Sequence, residues 1–319
     1  MNRIYTLAGA EGSDPRLAQQ KGEPGAPGTR LSNLSYNQEI VTVKTGRRDH
    51  YLPQGYLRGF IDPARENLPQ PLWHLDIPYK KWSMKSTKQV GYEEGFYDYA
   101  GEEDLLKSVE TADAAFLELE NEFPRIRAKL LSKAFKNWHK HLGFLLRYMQ
   151  MIRARSPLFF AQKEEEGKSL LASVIKEVHP DGKTLTVGDP APLPAPLIKN
   201  RAITHMREEI AKGADWLWDF NWAIRYCESV AAPFVTSEAP FIIEGPTTEI
   251  VQAIKHPDTL LVFPLCWQAC LFGSLQRFHK GTDKLELEDM KVMRRKYRYF
   301  AQVFLLSPTE LDDIQNPIA

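Results

Sequence analysis

The sequence predicts an α+β fold, a helical bundle packed beside a small, mainly antiparallel sheet. Three observations carry that expectation. Apolar residues recur at spacings of three and four between residues 102 and 155 and again towards the C-terminus, as on one face of a helix. Short apolar and aromatic runs bounded by turn residues follow one another between Asn221 and Ser274, as strands do. A proline-dense stretch near 179–197 lies between the two patterns and reads as an insertion or linker.

Taken in chain order, residues 1–46 hold glycine and proline among charges and read as an N-terminal arm. Pro53 is placed to begin a short helix and Gly59 to end it, so Pro53–Arg58 should make about one and a half turns. From Trp73 to Tyr99 aromatic residues alternate with polar ones, which predicts short strands and turns capping the helical body. Leu105, Val109, Ala112, Phe116 and Leu119 mark one long helix, and Phe135, Trp138, Leu142, Leu145, Met149 and Ile152 mark another, with room for a third. Pro157 disfavours a helical Ser156 and can start the next helix, which runs to about Val178. Lys183–Val187 is a strand candidate inside the proline-rich stretch, and Ile198–Lys212 is a helix. Strands are expected at Asn221–Glu228, Pro233–Ser237, Phe241–Glu244, Thr259–Cys266 and Ala269–Ser274. A closing helix over Leu287–Leu306 puts Leu287, Met290, Met293, Tyr297, Phe300 and Phe304 on one face, and residues 309–319 form a C-terminal tail.

Composition narrows the class of protein. A hydrophobic share of 43% with seven Trp supports a substantial core rather than global disorder. Lys and Arg total 41, as do Asp and Glu, so no net field steers the whole molecule to nucleic acid or an anionic membrane. Cys227, Cys266 and Cys270 form no even framework and no metal-type pair of pairs, so they read as small buried residues in a reducing compartment. No stretch approaches the roughly 20 apolar residues of a membrane span, and no charged head precedes an apolar run at the start. The expectation is a cytoplasmic protein with no membrane partner.

The most specific feature is the block from Asp49 to Phe60. If Pro53 starts a helix, Gln54 and Arg58 share a face and His50, just before it, can fold over the same face. Such a trio offers a proton-transfer group, an orienting amide and an anion clamp. The bland alternative is that His50 caps the helix and Arg58 pairs with an acid.

His50-Tyr51-Leu52-Pro53-Gln54-Gly55-Tyr56-Leu57-Arg58-Gly59-Phe60 resembles the N-terminal signature of an uncharacterised bacterial and phage family, domain of unknown function 4238. Further segments resemble it in order: Trp73-His74-Leu75-Asp76, Gly95-Phe96-Tyr97, Arg155-Ser156-Pro157, Thr236-Ser237-Glu238-Ala239-Pro240, Phe263-Pro264-Leu265 and Tyr297–Leu306. The resemblance covers about residues 47–308 and implies a single domain over that span, since the proline-rich stretch would otherwise divide it. The family's usual Asp is Glu238 here, and its usual Thr is Ser156. It brings no activity with it.

Residues 123–155 carry nine Lys and Arg and no acid, after the acidic stretch 102–122. One reading pairs an acidic helix with a basic neighbour; the other makes a basic groove for a nucleotide or nucleic acid, with Arg155 its best-placed member. His139 and His141 are two apart, a poor metal pair on a helix. A zinc site is not expected; a divalent metal such as magnesium could be held by Glu238 with Glu244 or Asp219. Ser237 lies beside Glu238, but no nucleophile elbow or glycine-rich phosphate loop occurs. The cations of the final helix, Lys291, Arg294, Arg295, Lys296 and Arg298, read as a solvated face. The leading expectation is a hydrolase for a phosphodiester or nucleotide: His50 as acid or base, Gln54 and Arg58 orienting, Arg155 and Ser237 holding substrate, Glu238 assisting. The alternative is a non-catalytic protein that binds an anionic ligand or partner, and a third is that the polar block is structural.

Overall fold

The computed structural model describes residues 48–97, 112–132, 137–177, 195–246, 250–278, 285 and 287–315. The expected arm, residues 1–46, lies outside them, as do residues 178–194 with the Lys183–Val187 strand candidate. The architecture is α+β. Its helices are α1 (Gln54–Leu57), α2 (Ala112–Leu131), α3 (Leu142–Ala154), α4 (Pro157–Glu177), α5 (Ala195–Lys212), α6 (Ile250–Ala253), α7 (Leu287–Phe300) and α8 (Asp312–Gln315). The strands are β1 (Arg48–His50), β2 (Leu72–Asp76), β3 (Lys81–Lys85), β4 (Tyr92–Glu94), β5 (Asn221–Tyr226), β6 (Thr236–Ser237), β7 (Ile242–Glu244), β8 (Leu260–Cys266), β9 (Ala269–Ser274) and β10 (Phe304–Ser307).

The described strands pair antiparallel throughout, as β1-β4, β3-β2-β10-β6 and β5-β9-β8-β7. Strand β8 carries a proline in a central position, which an unbroken ladder would not tolerate. Its pairing to β7 ends at Val262, and the pairing to β9 is irregular between Pro264 and Cys266, so Pro264 sits where the ladder loosens. On the helical side, α5 packs against both α3 and α4, and α2 against α3. Bundle and sheet share one continuous hydrophobic cluster. Tyr56 stands at the junction: its ring lies 5.2 Å from Phe60, 6.1 Å from Phe123 of α2, 6.5 Å from Tyr148 of α3 and 5.7 Å from Phe263 of β8.

Several elements differ from the sequence reading, each for a visible reason. The acidic and basic stretches are not one helix each: residues 102–111 lie outside the described residues, α2 carries Glu118, Glu120 and Glu122 followed by Arg125, Arg127 and Lys129, and the basic run continues on the neighbouring α3, whose C-cap Arg155 pairs with Glu120. Lys129, in the last turn, suits the helix dipole. Helix α2 runs through Pro124, whose ring lies against Gly55 of α1: a Cβ there would sit 3.1 Å from Pro124 Cγ. The expected helix from Pro53 is shorter. Pro53 is the N-cap, with extended ψ of 138°, and the chain tightens into a 3-10 turn over Arg58–Phe60. Gly59 is therefore not a terminator. It is needed for close approach, because a Cβ would fall 2.7 Å from Arg127 Nη1 and 3.0 Å from Cys266 Cβ.

The largest difference is at the C-terminus. The closing helix stops at Phe300, and residues 304–306, expected as its end, belong instead to the strand β10 between β2 and β6. The end expected as a tail also packs: Leu311 and Ile314 are buried, and Asp313 of α8 pairs with Arg294 of α7 at 2.6 Å.

Candidate functional site

The opening block is built around main-chain groups that need partners. Arg127 donates from Nη1 to the carbonyl of Gly55 at 2.7 Å and reaches that of Tyr56 at 3.4 Å, which satisfies carbonyls left over at the end of α1. Tyr56, fully buried, donates its hydroxyl to Pro264 O at 2.9 Å and lies 2.9 Å from Thr236 Oγ1. One tyrosine thus joins the opening block, the Thr-Ser-Glu segment and the Phe-Pro-Leu strand.

Arg155 is buried at the C-terminal end of α3. Its Nε donates to Tyr97 Oη at 2.8 Å, Nη1 to Glu120 and Nη2 to the carbonyl of His50, with its guanidinium 4.4 Å from the Phe116 ring centre. Each of its nitrogens is engaged, so the expected anion clamp is a three-way tie between α2, β1 and the loop after β4. His50 is half-buried, its ring 5.7 Å from Tyr92, and its Nε2 is buried without a hydrogen-bond partner. Burial lowers its pKa, and the Arg155 charge lowers it further.

Glu238 is buried too, and its carboxylate accepts from three successive backbone N–H groups: Oε1 from Gln302 and Val303 at 2.5 and 3.2 Å, Oε2 from Phe304 at 3.2 Å. Burial pushes its pKa up, against the pull of these donors. The carboxylate thereby holds the chain where α7 gives way to β10. Ser237 is buried in β6, and its Oγ accepts from Ala239 N at 3.2 Å in a local turn. Gln54 is half-buried, and Arg58 is exposed on a shallow cleft with Pro63, Glu66, Arg127 and Trp267. The structure therefore brings His50 and Arg155 together through a main-chain carbonyl, and commits the Glu238 carboxylate to the backbone leading into β10.

Part of the basic run is committed to the protein itself. Arg125 pairs with Glu122, Arg127 caps α1, and Arg153 lies 3.7 Å from Glu209. Lys133 and Lys136 lie outside the described residues. Among the described residues no group of three or more His, Cys, Asp or Glu could hold a metal ion, and Glu244 pairs with Lys296 at 2.8 Å. The three cysteines are buried and unbridged. No helix among the described residues is long and apolar enough to cross a membrane.

An open cleft of about 230 Å³ lies where the Arg-Ser-Pro and Thr-Ser-Glu-Ala-Pro segments meet. Phe159, Pro240, Ile243 and Phe300 give it apolar walls. Arg153, Gln162 and Gln302 supply the polar side chains at its edges. Ser156 also lines it, but its hydroxyl is used locally, donating to Arg153 O at 2.8 Å and accepting from Phe159 N at 3.2 Å as the cap of α4. A concave, mainly apolar surface with a few placed polar groups is the usual form of a small-molecule site. The sequence signal for it was the proline in each of two motifs, which fixes where α4 starts and β7 is entered. That the two meet is a matter of tertiary packing.

The chain matches the family described as "Protein of unknown function (DUF4238)" over residues 48–295. No curated protein and no solved structure matches it.

Proposed function

We propose, for a chain that belongs to the DUF4238 family, that its role is to bind a small ligand in the cleft between the start of α4, β7 and the end of α7. This favours binding over hydrolysis. The observation that supports it is the cleft itself, apolar along its length and edged by Arg153, Gln162 and Gln302. Such a surface takes an apolar or aromatic body and orients it by hydrogen bonds at its rim. The hydrophobic effect supplies the affinity, at about 25 cal/mol for each Å² of apolar surface buried.

The test is a titration with Nile red, an uncharged dye that fluoresces on entering an apolar site. Ile243 lies on the edge strand β7 and is half-buried, so Ile243→Trp fills the cleft from a position with room to adjust. The dye's Kd should rise tenfold or more in this variant while the far-ultraviolet spectrum is unchanged. An unaltered Kd would place the dye elsewhere and end the proposal.

A hydrolytic reading has one observation in its favour, the buried, unpartnered Nε2 of His50 close to the charges of Glu120 and Arg155. It would have to work with His50 and Gln54, since Arg155 and Glu238 are already occupied by protein groups. Release of p-nitrophenol from bis(p-nitrophenyl) phosphate with magnesium, lost in His50→Ala at unchanged melting temperature, is the outcome it requires.

A further inference from the structure

The apolar cleft adjoins a second one of different character, with which it shares two lining residues. Along β7 and its exit, Ile242 and Ile243 line the first cleft, while Glu244 and Gly245 line the second. Along α7, Tyr299 and Phe300 line both. Their rings meet edge to face at 5.4 Å on the wall that the two clefts share. The second cleft is charged. Five charged side chains border it, Glu244, Arg295, Lys296, Arg298 and Asp313. Both acids are answered within the protein, Glu244 by Lys296 at 2.8 Å and Asp313 by Arg294 at 2.6 Å. Arg295 and Arg298 remain. Among the described residues neither has an ion-pair partner, and Arg298 Nε is buried without any hydrogen-bond partner. A guanidinium left in this way seeks a carboxylate or phosphate, which it can bind with two parallel hydrogen bonds.

The geometry points to a soluble anionic amphiphile as the ligand, with its carboxylate or phosphate on Arg295 and Arg298 and its apolar body laid over Phe300 into the cleft at Phe159 and Ile243. This rests on the apolar cleft being a binding site, and adds the charge of the ligand and the direction in which it lies. A single free molecule is favoured over a lipid surface because the apolar part is a recess between α4 and β7 rather than a protruding face.

The experiment compares dodecanoate, dodecyl phosphate and dodecanol by calorimetry on the full chain, with Nile red displacement as a second readout. Both anions should bind at least tenfold more tightly than dodecanol. In Arg295→Gln with Arg298→Gln that advantage should disappear while dodecanol binds as before, and Arg298→Lys should keep part of it. Ile243→Trp should weaken all three. Equal binding of anions and alcohol in the natural chain overturns the inference and leaves the apolar cleft standing. Binding that ignores Ile243→Trp removes the cleft itself, and the inference with it. If the chain sediments with phosphatidylglycerol vesicles but ignores monomeric dodecanoate, the ligand is a lipid surface and the proposed soluble amphiphile is wrong.

Discussion

At the scale of single residues, burial decides what each titratable group does. His50 and His74 both titrate below the ordinary histidine range, chiefly because burial disfavours the imidazolium, with Arg155 adding repulsion at the first and Lys85 at the second. The unfolded chain carries no such penalty and takes up protons first as pH falls through about 6.5. Their contribution to stability is therefore complete above that pH and is lost as pH falls towards the lower folded values. Urea midpoints should drop between pH 7.5 and 5.5, and His50→Gln and His74→Gln should each flatten part of that drop. Glu238 acts with the opposite sign, because its folded pKa is raised. Its contribution is present below the unfolded carboxylate value, about 4.3, and is lost as pH rises through the folded one. Repeating the series in Glu238→Gln separates the two slopes. The chemistry of these side chains was evident in the sequence; the surroundings that set their pKa were not.

At the scale of elements, the sequence reading was good wherever periodicity speaks and failed where a distant side chain intervenes. The patterns of α3, β8 and β9 appear in their own residues, α3 through a periodic buried face and the two strands through near-continuous apolar runs buried on both sides. The end of α7 does not. Phe304 continues the helical spacing of Tyr297 and Phe300, yet the chain leaves the helix because Glu238, far away in sequence, accepts the N–H groups of Gln302, Val303 and Phe304. Helical hydrogen bonds lost there are replaced by a carboxylate and then by pairing to β2 and β6. Glu238→Gln keeps the shape but turns one acceptor oxygen into an amide donor facing N–H donors. It should cost about 1–3 kcal/mol, read from denaturant midpoints at pH 7.5. The exit of α7 matters beyond stability, because Tyr299, Phe300 and Gln302 line the proposed site.

At the scale of the whole molecule, two buried side chains tie the bundle to the sheets. Tyr56 links α1 to β6 and β8, and Arg155 links the end of α3 to α2, β1 and Tyr97. Arg155→Met would leave Glu120, the Tyr97 hydroxyl and the His50 carbonyl without their donor. Breaking one side of a buried pair costs about 3–5 kcal/mol, a large part of a typical total of about 5–15 kcal/mol. The melting temperature should fall sharply, and Arg155→Lys should recover little of it, because one ammonium cannot span three acceptors in different directions. A stable Arg155→Met protein would free this residue from its structural role and return it to consideration as a ligand contact.

The amino-acid sequence by itself determined the α+β class, most helices and strands, the buried cysteines and the family, because each of these is written in local spacing or in a contiguous motif. It also marked His50, Gln54, Arg58, Arg155 and Glu238 as candidates for one site, on segments whose order resembles one family. Only the tertiary structure decided their tasks. A guanidinium or carboxylate is free for a ligand only if the protein leaves it so, and that depends on which backbone groups arrive beside it from distant segments. By that test Arg155 and Glu238 are occupied, whereas Arg295 and Arg298, which read in sequence as a solvated face, have no ion-pair partner among the described residues and border a cleft that adjoins the apolar one.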